Sequence, residues 1–213
     1  MRISRPLGRL LLAGLLACLA SAQVIEFESG GLRYQTLTKN GVTIMFAPLS
    51  GQIREFGMVQ VAIANGSSQP CTVRPEDFFF QFDGEQVTQA AAALDVINRF
   101  VHDASGDDVV KLVTMYEMGL YGLGRVRSTN GYERRRQAAL AVVSSRRLKA
   151  AAAASAIALV ETELSPGQST DGAVFFPVTG RQSGPMTLKV SAAGSVFEFE
   201  PTRLADGRAA GSQ

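Results

Sequence analysis

The chain has 213 residues, of which 46% are hydrophobic and 19% charged, a globular and not a disordered composition. Lys and Arg number 21 against 19 Asp and Glu, but Arg2, Arg5 and Arg9 lie in the first 22 residues, which leaves 18 against 19 beyond them. A chain this close to neutral has no electrostatic footprint for nucleic acid, and one histidine with two cysteines leaves too few soft ligands for a zinc site.

Residues 1–22 place three arginines before an apolar run from Leu10 to Ala20, followed by Ala20-Ser21-Ala22. This is a charged n-region, an h-region and an A-x-A cleavage signal, so an exported chain starting at Gln23 after cleavage behind Ala22 is expected. The run is shorter than the about 20 residues that a membrane span needs. Leu15-Leu16-Ala17-Cys18 supports an alternative, a lipoprotein signal with Cys18 acylated; Leu16 before the small residue is unusual for that motif, which favours the soluble form. Without Cys18 the chain keeps only Cys71, so no intramolecular disulfide is expected, and Cys71 reads as a small buried apolar residue.

From residue 23 to 88 the pattern is that of strands. Leu32–Thr38 and Val42–Phe46 alternate around a Lys39-Asn40-Gly41 turn, and Phe56–Ala64 repeats the pattern before Asn65-Gly66-Ser67-Ser68. Thr72-Val73 and Phe78–Phe82 follow, with Asp83-Gly84 as a further turn.

Between 89 and 161 the period changes. Leu94, Ile97, Phe100 and Val101 fall on one helical face, and Val109, Leu112, Val113, Tyr116 and Leu120 on another, with Asp107 or Asp108 as the cap between them. A third helix is expected from Gly131 to Val160; its run of Ala and Ser permits close approach by a neighbouring element. Strands return from 162 to 204, with Pro166-Gly167 and Asp171-Gly172 as turns and a final hairpin around Ala193-Gly194, and residues 205–213 form a loose tail. The order predicts an α+β chain in which one antiparallel β domain is interrupted by a helical insertion.

VQVAIANGSSQPCTVRPEDFFFQFDGE and LSPGQSTDGAVFFP resemble the extracytoplasmic immunoglobulin-like domains of bacteria, through Asn65-Gly66, Pro75-Glu76-Asp77-Phe78 and Pro166-Gly167 with Gly172. The whole chain is similar to exported bacterial proteins that carry this interrupted plan. The resemblance implies an immunoglobulin-like β-sandwich serving as a binding or envelope-associated module. It carries over no functional residue, and the helical insertion departs from the plain sandwich.

Catalytic chemistry finds little support. His102 is the single histidine, and nothing sets a nucleophile against it. Asp103, Asp107 and Asp108 lack the spacing of a calcium loop and suit a helix N-terminus instead. Gly119, Gly122 and Gly124 match neither a dinucleotide fingerprint nor a P-loop, and read as the corner between two helices, with Ser128-Thr129-Asn130 starting the next. No cofactor or metal is expected.

Arg134, Arg135 and Arg136 stand in the first turns of the third helix, where the dipole disfavours them; they are the candidate contact with a partner, and pairing with Glu117 or Glu133 is the plainer account. The expected function is a non-catalytic interaction or structural module of the cell envelope, periplasmic or secreted, that meets another envelope protein or component. The alternatives are a carboxylate-dependent hydrolase working between sandwich and helices, and a lipoprotein accessory subunit anchored through Cys18.

Overall fold

The computed structural model describes residues 23–82, 87–122, 131, 134, 135, 138, 141, 145–178 and 185–203. The signal-like segment with Cys18 and Ala22, the Asp83-Gly84 turn, Ser128-Thr129-Asn130, Arg136 and the tail lie outside them. Strands β1 (Ile25–Ser29), β2 (Leu32–Lys39), β3 (Val42–Ile53), β4 (Phe56–Asn65) and β9 (Ser169–Pro177) form an antiparallel sheet in the order β1-β2-β3-β4-β9. A second antiparallel sheet has the order β11-β10-β6-β7, from β6 (Phe78–Phe82), β7 (Thr88–Gln89), β10 (Pro185–Ala192) and β11 (Ser195–Glu198), with β12 (Thr202–Arg203) also on β10. A short ladder joins β5 (Cys71–Val73) to β8 (Thr162–Leu164). Helices α1 (Ala93–Asp103), α2 (Gly106–Gly122) and α3 (Arg146–Ile157) fall between β7 and β8 in the chain. No helix among the described residues is long and apolar enough to cross a membrane.

The first sheet is a wall between two cores. Val59, Val61 and Ile63 of β4 join Ile44, Phe46 and Phe176 against Phe78, Phe80, Leu188 and Phe197 of the second sheet. The alternate residues Met58 and Ala62, with Leu32, Tyr34, Leu49 and Phe175, lie under Val96, Phe100, Leu112 and Tyr116 of the helices. A strand covered on both sides reads as a near-continuous apolar run, which is why FGMVQVAIA contains one polar side chain, Gln60.

Several expected boundaries move. The helical region begins at Ala93 and not at residue 89, because Thr88 and Gln89 pair with β6. On α1 the buried pair is Val96 and Phe100, one turn apart, whereas Leu94 is 66% exposed. The cap of α2 is Ser105: Asp108 accepts from the Ser105 backbone N–H at 2.6 Å and from its hydroxyl at 3.0 Å, a reciprocal box that holds the Asp108 carboxylate at the positive end of the helix. The helix does end within the glycine cluster, at Gly122, as the apolar face through Leu120 predicts. The single helix expected over 131–160 is broken at Ser145, whose backbone is extended, and α3 ends at Ile157 because Ala158 turns to bridge Ala173 of β9. The close packing expected of the alanine run is present: Ala150, Ala151, Ala153, Ala154 and Ala156 are all buried.

Candidate functional site

Of the three arginines singled out in the sequence, Arg134 is helical and exposed, and Arg135 is helical and half-buried. Arg135 Nε and Nη2 are buried and have no hydrogen-bond partner among the described residues. Gln23 is exposed at the start of the described chain. His102 is exposed on α1, and Asp103 beside it pairs with Arg99 one turn earlier at 3.5 Å. Glu55 holds Arg99 more tightly still, and that hydrogen bond raises the guanidinium above its ordinary value. Cys71 is buried, and burial pushes its thiol up, the behaviour of a small core residue.

Sequence patterns did not reveal the polar seam between α2 and the first sheet. Gln60 is fully buried, directly opposite Ala47 and Ala173 on its two neighbouring strands, and neither its amide oxygen nor its nitrogen has a hydrogen-bond partner among the described residues. It lies under Gly119: a Cβ there would come within 2.8 Å of Gln60 Cγ, so the glycine is what lets helix and strand approach. Tyr34 Oη donates to the Gly119 carbonyl at 2.6 Å, and burial pushes this phenol up to about 12. One turn back along α2, Tyr116 donates to Asp171 Oδ2.

Asp171 and Gly172 are therefore not a turn. They lie inside β9, and the turn is at Pro166-Gly167 alone. The Asp171 carboxylate is engaged by a helix, and Gly172 admits the backbone of Leu159, which a Cβ would meet at 2.7 Å. An Asp-Gly pair is the strongest local turn signal, yet here each residue answers to a contact distant in sequence.

The second sheet carries an open groove of about 330 Å³ at the tip of the β10–β11 hairpin, lined by Thr72, Arg74, Asp77 and residues 191–196. Asp77 Oδ2 accepts from the Arg74 backbone N–H at 3.0 Å, and burial raises its carboxyl. Arg74 meets Glu161 at 2.9 Å, and this hydrogen bond raises the guanidinium.

Each described helix also exposes a large apolar side chain: Leu94 (66%) on α1, Val110 (64%) and Met118 (45%) on α2, and Leu148 (48%) on α3.

No protein-family model matches the chain, and no curated protein matches it. Among solved structures the chain is similar to the crystal structure of the YjhA protein from Bacillus subtilis, at 8% identity over 78% of this chain and 76% of that one, with a TM-score of 0.31. A likeness at that score carries no argument about fold or function.

Proposed function

We propose that the chain is an exported, non-catalytic interaction module of the cell envelope, an immunoglobulin-like sandwich whose helical insertion meets the partner. The observation that carries this reading is the apolar side chains left in water on all three described helices, at Leu94, Val110, Met118 and Leu148. Exposed apolar residues are ordinary when scattered; their recurrence on each helix of the layer that this chain adds to a β core supports that layer as the contact. Two antiparallel sheets around a shared core support the sandwich, and the A-x-A signal before Gln23 supports export.

Capture from a native envelope extract tests the reading. Leu94→Ser/Val110→Ser/Leu148→Ser should lose a partner that the wild type retains, with the unfolding midpoint preserved. Equal recovery by this variant would sink the helical contact. Arg134→Ala/Arg135→Ala/Arg136→Ala tests the basic residues separately, and unchanged partners would remove them from the interface. The mass of the secreted chain should correspond to a start at Gln23; an acylated Cys18 would make the lipid-anchored form the right one.

A further inference from the structure

The edge of the first sheet carries a second surface, independent of the helical contact proposed above. β1 has one neighbouring strand among the described residues, β2, and four of its five residues are exposed. The connection is Gly30-Gly31, both at positive φ (60° and 76°), and the two-residue turn makes Ser29 and Leu32 the closing hydrogen-bonded pair. Alternation then ties Phe27 and Ile25 to Tyr34 and Thr36, and turns the N–H and C=O of Glu26 and Glu28 outward. An unpaired edge of this kind is a template for another strand, and β1 shows no proline or bulge to block it.

Its two faces differ in chemistry. Ile25 (60% exposed) and Phe27 (37%) lie on the side of the helices, Phe27 stacked on Tyr34 with centroids 5.2 Å apart. Glu26 and Glu28 lie on the other side. Buried Gln35 donates to Glu26 Oε1 at 2.6 Å and to the Glu200 carbonyl at 3.1 Å, so the Glu26 carboxylate is held in place at the edge. Arg33 is the cation opposite Glu28 on β2.

We infer that β1 accepts an extended segment of a partner protein, added as a further strand, with basic side chains at every second position and apolar ones between. The basic residues lie against Glu26 and Glu28, and the apolar ones cover Ile25 and Phe27. A second copy of this chain is the poorer occupant. Every antiparallel register that uses the outward groups of Glu26 and Glu28 sets glutamate opposite glutamate, and like charges directly opposite one another are destabilising. Backbone pairing supplies affinity in such an addition, and the alternating side chains supply selectivity.

Blocked octapeptides alternating valine with lysine, or valine with glutamate, are the probes, titrated into the isotope-labelled protein. The valine–lysine peptide should bind more tightly by about tenfold or more and protect the Glu26 and Glu28 amides from exchange. Glu28→Pro removes an outward N–H that β2 does not use, and should weaken that binding by about tenfold or more. Glu26→Gln/Glu28→Gln removes both charges, keeps at position 26 an oxygen that can accept from Gln35, and should cut the preference for the valine–lysine peptide well below its wild-type value, which keeps the test independent of how the proline is tolerated. Equal affinity for the two peptides overturns the inference, as does binding that survives Glu28→Pro. Self-association of the wild type that Glu28→Pro abolishes would give the edge to a second copy and overturn it too.

Discussion

Gln60 and Gly119 are 59 positions apart in the chain and share one contact, where α2 packs on the first sheet. Adding a methyl group at Gly119 should therefore cost different amounts in two backgrounds. In the wild type Gly119→Ala pushes into Gln60 and should destabilise by about 1–3 kcal/mol, as overpacking does. With Gln60→Ala already present the Cγ contact at 2.8 Å is removed and only the Cβ at 3.0 Å remains, so the same change should cost less than in the wild type, offset further by helix propensity. Urea denaturation of the four proteins reads this directly; additive effects would show that the two residues do not touch. Tyr34 gives a second handle at this scale. Its phenol is near 10 in an unfolded chain and raised to about 12 here, so the folded state holds its proton more tightly. That contribution to stability is intact below about pH 10 and is lost as pH rises from there to about 12. Tyr34→Phe should flatten the alkaline limb of the stability profile, and an unchanged limb would show that the loss has another source.

Strands and hairpins follow from short-range signals. Asn40-Gly41 closes β2 to β3, Ala193-Gly194 closes β10 to β11, and Asn65 ends β4, each where turn chemistry places it. The strand β1 was missed, although Ile25-Glu26-Phe27-Glu28 alternates before Gly30-Gly31. Helix ends were less legible, because several adjacent residues can cap. The acidic pair Asp107-Asp108 draws attention, yet Ser105 is the residue whose hydroxyl meets the Asp108 N–H, at 3.4 Å. Ser105→Ala should cost about 0.5–2 kcal/mol and Ser105→Thr much less, measured by the urea midpoint. Equal loss in both would assign the cap elsewhere. The break at Ser145 was hidden for a related reason: alanine propensity argues for continuing a helix and does not report where one starts.

At the scale of the whole molecule, the first sheet belongs to both cores, so neither the helical layer nor the second sheet has a wall of its own. Unfolding should be a single transition, coincident when followed by helical circular dichroism and by tyrosine absorbance. Replacing residues 93–157 by a short linker should expose Leu32, Tyr34, Leu49, Met58 and Phe175 and yield a protein that binds hydrophobic dye or precipitates. A soluble, dye-free, folded remainder would show the helices to be an appendage. The sequence by itself determined the α+β composition, the strand–helix–strand order and most turns, because those depend on neighbours within a few residues. Only the tertiary structure decided that Asp171 and Gly172 sit inside a strand, that α2 meets the first sheet at Gly119 and that Gln60 is sealed beneath it. In each case the deciding contact comes from a segment at least 13 positions away, Gly172 under Leu159 being the nearest, and no local pattern encodes it.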